Sequence, residues 1–127
     1  MMVAMRLLGA CALLLCVGCS LISAPYCTDE YVYAVNVQVV DSASGAMAAS
    51  GAQLVARDGV FADSMSLPAN RADLDAFSLH AAGERAGTYA VTLRKSGYRD
   101  WTRANVQVAK DGCHVTRVSL TALMQRS

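Results

Sequence analysis

The stretch Tyr31-Val32-Tyr33-Ala34-Val35-Asn36-Val37-Gln38-Val39-Val40 decides the fold. Tyr31, Tyr33, Val35, Val37 and Val39 alternate with Val32, Ala34, Asn36, Gln38 and Val40. A period of two sends neighbouring side chains to opposite sides of a strand, whereas a helix repeats every ~3.6 residues. One set is wholly apolar and the other mixed, which predicts a strand buried fully on one face and partly on the other. Asp41-Ser42-Ala43-Ser44-Gly45 then supplies turn chemistry.

The same period recurs downstream. Ala52 to Arg57 reads as a second strand ended by Asp58-Gly59, and Val60 to Leu67 as a third stopped by Pro68. Asn70 to Asp75 is polar and without period. Phe77, Leu79 and Ala81 predict a short strand, and Gly83 and Gly87 bracket a loop. Tyr89, Val91 and Leu93 alternate with Ala90, Thr92 and Arg94 before a Ser96-Gly97 turn. Tyr98 to Val108 is extended and ends at Lys110-Asp111-Gly112. Val115 to Leu123 closes the domain, with Val118, Leu120 and Ala122 on one face. About seven strands separated by turn residues predict an all-β protein, a β-sandwich of antiparallel strands with Val35, Val37, Val39, Tyr89, Val91 and Leu93 in its core.

Upstream, Met1 to Arg6 carries one basic residue and Leu7 to Val17 is apolar, too short to span a bilayer, which needs about 20 residues. It reads as a helical signal segment, 1–18. Leu15-Cys16-Val17-Gly18-Cys19 resembles the lipobox of bacterial lipoproteins, with Cys16 where that family usually has Leu. The resemblance implies cleavage before Cys19 and acylation of its thiol. Cys11 also follows a box-like run, but its apolar core is too short. Cleavage after Ala24, or an uncleaved anchor over Met1 to Ile22, are the alternatives. Residues 19–30 are then a lipidated tether, 31–123 the domain and 124–127 a tail. Ser20 rather than Asp after the cysteine favours the periplasmic face of the outer membrane in a Gram-negative source.

Arg6 is the only charged residue before Cys19, so of 11 Lys/Arg and 10 Asp/Glu the exported part keeps ten of each. A neutral body has no general field for polyanions, which excludes nucleic-acid binding by bulk charge. Of the five cysteines, Cys27 and Cys113 alone lie beyond Cys19. In an oxidising compartment such a pair predicts a disulfide, the alternative being two buried thiols.

Val35-x-Val37-x-Val39-Val40-Asp41-x-x-x-Gly45, Gly51-Ala52, Gly87-Thr88-Tyr89-x-Val91-x-Leu93 and Gly97-Tyr98 resemble the carboxypeptidase regulatory-like, transthyretin-like domains. The resemblance covers about Tyr31 to Leu123 and is carried mainly by the G-x-Y and later G-Y elements. Asp58 to Ala86 departs from the family's short loops. It implies a seven-stranded Greek-key sandwich acting as an accessory or binding module.

Catalytic signatures are lacking. His80 and His114 stand in no H-E-x-x-H or C-x-x-C setting, and Ser64 and Ser66 in no G-x-S-x-G. Cys113 beside His114 reads as a disulfide cysteine next to a surface histidine before it reads as a thiolate pair. Asp73 and Asp75 are too few for calcium and read as a solvated loop. No metal or cofactor is signalled.

One constellation stands out. A two-residue turn at Ser96-Gly97 would set Arg94 opposite Arg99 and Thr92 opposite Trp101, placing Arg94, Arg99, Trp101 and Arg103 on one outward face. A tryptophan among arginines can stack on rings and bind anions. Alternatively, a bulge between Trp101 and Val106 turns Trp101 into the core and leaves the arginines solvated. The resulting expectation is a non-catalytic, lipid-anchored envelope module whose partner is an envelope protein, peptidoglycan or a polysaccharide. A small envelope enzyme or metal-dependent hydrolase, recognisable by a concave site with convergent polar groups, is the rival.

Overall fold

The structure, a computed structural model, describes residues 26–127. The expected signal segment and Cys19 lie outside the described residues. Seven strands form two sheets: β1 Tyr33–Asp41, β2 Gln53–Asp58, β3 Phe61–Ser66, β4 Leu79–Gly83, β5 Gly87–Arg94, β6 Trp101–Val108 and β7 Val118–Met124. One sheet has the order β4-β1-β7 and the other β3-β2-β5-β6. The polar stretch Asn70 to Asp75 contains a single 3-10 turn, Ala72–Leu74. This is an all-β sandwich.

The deciding stretch behaves as its period requires. Val35, Val37 and Val39 are fully buried, while Asn36, Gln38 and Val40 on the other face are half-buried. Tyr31 lies before the strand and is exposed. Tyr89, Val91 and Leu93 supply the facing core with Leu54 and Ala56. Phe77, expected in the fourth strand, precedes it and is exposed. The Tyr89 hydroxyl donates to the Arg85 carbonyl at 2.6 Å, so the chain entering β5 folds back on its own ring.

Two features depart from the expected sandwich of antiparallel strands and its expected domain bounds. The first and last strands, β1 and β7, pair in parallel, Val35 opposite Val118 through Asp41 opposite Met124. The last four residues are no tail. Met124 is buried, the Arg126 Nε donates to Asp41 Oδ2 at 2.8 Å, and the Ser127 N–H donates to the Gly97 carbonyl at 3.0 Å.

The sandwich is closed along one side. β3 and β4 lie in different sheets, yet Asp63 Oδ2 accepts the Ala82 N–H at 2.8 Å and Met65 Sδ accepts the His80 N–H at 3.3 Å. The inner side chains of β3 therefore cap the edge of β4. On the opposite side, β6 and β7 meet only near one end of the sandwich, where Tyr98 bridges Arg126 and the Arg99 N–H donates to the Gln125 carbonyl at 2.8 Å.

Candidate functional site

The hairpin between β5 and β6 differs from the expected one. Tyr98 N–H closes a turn onto the Lys95 carbonyl at 3.1 Å, with Gly97 at φ +83°. That is the third turn position, where a positive φ suits glycine. Tyr98 and Arg99 then pair with the C-terminal segment instead of with β5. Losing them lengthens the loop by one residue, so Leu93 faces Trp101 and Thr92 faces Thr102. Arg94 faces Asp100, not Arg99, and its Nε donates to Asp100 Oδ2 at 3.0 Å.

A bulge completes the change. Tyr89 pairs with Val106 but Val91 with Arg103, so β6 carries one extra residue, with Asn105 at φ 55°. The bulge lies between Trp101 and Val106, as the alternative reading required. Trp101 and Arg103 consequently share the inward phase of Val91 and Leu93. Trp101 is half-buried against the core, and Arg103 is exposed with its guanidinium 5.5 Å from the indole centroid. The expected outward face is thus divided: Arg94 points to the outer side with Asp100, and Trp101 with Arg103 to the inner side.

Trp101 is partly and Arg103 largely open to solvent. Beside them is a notch of about 190 Å³ lined by Arg99, Asp100, Trp101, Leu123 and Gln125. Leu123 is exposed on the last strand. Arg99 and Arg103 make no ion pair among the described residues. The notch therefore joins an apolar wall, an aromatic face, the Arg99 guanidinium and the Asp100 carboxylate, the last already paired with Arg94, while Arg103 stands over the indole outside the lining. Leu123 and Gln125 could not be joined to Trp101 from sequence, because only the crossing of β6 and β7 brings them together.

A larger open groove, about 680 Å³, lies by Ser50, Asn70, Arg71, Asp75 and Lys95. Its polar groups hold its own walls. Ser50 Oγ accepts the Arg71 N–H at 2.9 Å, Asp75 Oδ1 accepts the Ser50 N–H at 2.9 Å, and Lys95 Nζ donates to the Ala48 carbonyl at 2.6 Å. Arg71 and Asp73 pair at 2.6 Å, so Asp73 and Asp75 are committed to different partners. Among the described residues no three His, Cys, Asp or Glu side chains gather to hold a metal ion.

Two polar clusters mark opposite ends of the sandwich. At one, buried Asp41 accepts the Tyr98 hydroxyl at 2.6 Å, Arg126 Nε, and the Ala43 and Ser44 N–H groups. The Tyr98 hydroxyl, the Ser44 N–H and Arg126 hold its carboxyl far below the usual carboxylate range, and Asp41 in turn raises the Tyr98 phenol. At the other end Cys27 and Cys113 form the disulfide, with Cα atoms 5.3 Å apart. His114 lies 2.8 Å from Glu84 through Nδ1 and 3.1 Å from the Thr28 hydroxyl through Nε2. Cys113 and His114 are therefore a disulfide half and an ion-pair half, not a thiolate pair.

No protein-family model matches this chain, and no curated protein matches it.

Proposed function

We propose that this chain is a non-catalytic module of the cell envelope, exported, acylated at Cys19 and held on the membrane, that binds a partner through the Trp101 notch. The observation that carries the reading is the half-buried indole with Arg103 above it, left open at the sandwich edge. Aromatic and arginine side chains contribute disproportionately to binding surfaces. The disulfide supports an oxidising compartment. The larger groove favours binding over catalysis, since its polar groups are engaged with one another rather than converging on a reactant.

The motif residues that resemble carboxypeptidase regulatory-like domains have structural tasks consistent with that family reading. A Cβ at Gly87 would collide with the Asp58 carboxylate, and Gly97 turns the chain so that Tyr98 reaches Asp41. The partner is an envelope protein, peptidoglycan or a polysaccharide, with the periplasmic face of the outer membrane favoured in a Gram-negative cell.

Two measurements test the proposal. Cys19→Ala should yield a longer chain that incorporates no labelled palmitate and leaves the membrane fraction; normal processing of that variant refutes the anchor. A photo-crosslinking residue at position 103 should give a discrete adduct in cells that the same residue at Arg57, on the outer face of β2, does not. Identical adduct patterns at both positions refute the notch as the binding face.

A further inference from the structure

The four edge strands are not equally protected. Edge strands expose unpaired N–H and C=O groups and are usually blunted by charge, proline, bulges or covering side chains. β4 is capped by Asp63 and Met65 of β3, and β3 is itself half of that seam. β6 is interrupted by its bulge at Asn105 and carries Arg103. β7, Val-Ser-Leu-Thr-Ala-Leu-Met, has no charge, no proline, no glycine and no bulge.

The direction of its backbone groups follows from two hydrogen bonds. The Met124 carbonyl accepts the Ser42 N–H at 2.9 Å, so Met124 points its polar groups toward β1. The Gln125 carbonyl accepts the Arg99 N–H, so Gln125 points toward β6. In a regular strand this alternation continues, and Ser119, Thr121 and Leu123 turn their N–H and C=O groups to the open side. Among the described residues the pairing of the two segments ends at Arg99 and Gln125, beside the notch.

We infer that the free edge of β7 receives an extended segment of a partner protein, which adds a fourth strand to the β4-β1-β7 sheet and presents a carboxylate to Arg103. Strand addition takes its affinity from main-chain hydrogen bonds and its specificity from alternate side chains. Tyr98 pairs antiparallel with Arg126, so β6 runs against β7. A strand added antiparallel to β7 runs with β6 and meets Trp101 first and Arg103 two residues later. An apolar residue followed at the second position by Asp or Glu fits that order. Arg99 and Arg103, without an ion pair among the described residues, supply the charge complementarity, the neighbouring Asp100 carboxylate being engaged by Arg94. The inference rests on the notch being a binding face.

The protein's single tryptophan reports occupancy directly. The probe is the peptide acetyl-Thr-Val-Thr-Val-Thr-Glu-Thr-amide, titrated against the oxidised domain by Trp101 emission. We expect a saturable change, an affinity loss of about tenfold or more when Glu is replaced by Lys, and abolition when alternate peptide amides are N-methylated. In the protein, Thr121→Pro removes an outward N–H without taking one from the β1 ladder. It should weaken the peptide about tenfold relative to Thr121→Val, at unchanged Tm. If that variant misfolds, the N-methylated peptide tests the same bond on the intact domain. Absence of peptide binding, or equal binding by the Glu, Lys and N-methylated forms, overturns the inference. So does a concentration-dependent dimer dissolved by Thr121→Pro, which gives the edge to a second copy. A position-103 crosslink in cells indifferent to Thr121→Pro keeps the notch as a binding face and overturns strand addition alone.

Discussion

The two ends of the sandwich are tied by different chemistry. At the end where the chain enters, Cys27 is bonded to Cys113 and His114 is paired with Glu84. At the far end Asp41 gathers Tyr98, Arg126 and two turn N–H groups, joining the end of β1, the β5–β6 loop and the C-terminus. The entry end combines a covalent link with a pair whose histidine is raised by their contact and whose carboxylate is lowered by the Val32 N–H and by that contact. The far end depends on one carboxylate that stays ionised until strong acid. The disulfide pins residue 27 beside the entry to β7. The far end is left to define the loops around the notch.

Breaking the covalent link should have the largest effect. The Cys27–Cys113 bond spans 86 residues of sequence, for which loop-closure entropy puts the ceiling at about 4–5 kcal/mol. Cys27→Ser with Cys113→Ser should lower unfolding free energy by about 2–5 kcal/mol in a urea titration. A loss under about 1 kcal/mol would mean that the far end and the core alone set stability.

The far end should respond less. Tyr98→Phe deletes one hydrogen bond to a charged, buried acceptor, a loss of about 1.5–3 kcal/mol. Because the Tyr98 phenol also shapes the β5–β6 loop, the same variant should alter Trp101 emission, whereas the cysteine variant should not. Equal perturbation of Trp101 by both would show that the ends are not independent.

What could be read from sequence, and what could not, follows the same division. Alternation at Val35 to Val39 and Tyr89 to Leu93 located strands because burial on one face is a local pattern. Cys27 and Cys113 were paired by elimination. The face of Trp101 was decided elsewhere. Pairing of Tyr98 and Arg99 with Gln125 and Arg126 shifted the hairpin by one residue, and a one-residue shift exchanges the faces. Nothing near Trp101 records that pairing. The sequence admits a bulge between Trp101 and Val106 but does not place it at Asn105. The parallel pairing of β1 with β7 is invisible to periodicity for the same reason.

Acid should distinguish the ends next. Asp41 is depressed by the Tyr98 hydroxyl, the Ser44 N–H and Arg126. A depressed carboxylate stabilises fully above its unfolded value near 3.8 and loses that contribution only as pH falls through the folded value. Hydrogen exchange at the Ala43 and Ser44 amides, corrected for intrinsic rates, should therefore hold its protection down to pH 4. Loss of protection already at pH 5 would show that the far-end network is not built on an ionised Asp41.

The smallest effect belongs to His114. Its ring is raised above 6.5, first by the hydrogen bond to Glu84, with Asp111 adding attraction and desolvation opposing. Glu84 is lowered from 4.5, first by the Val32 N–H, then with help from His114 and the Val115 N–H. The signs are opposite. The raised histidine stabilises fully below 6.5 and loses its contribution as pH rises through its folded value. The lowered glutamate stabilises above 4.5 and loses its contribution as pH falls. Both are in force together only between those limits, so the pair stabilises most in mildly acidic medium. Replacing His114 with Gln keeps a neutral polar side chain but removes the titration. The Tm difference between parent and His114→Gln should be greatest near pH 5.5 and should shrink toward pH 8.5. A difference independent of pH would mean that the 2.8 Å contact is a neutral hydrogen bond and that the entry end, like the far end, does not respond to pH near neutrality.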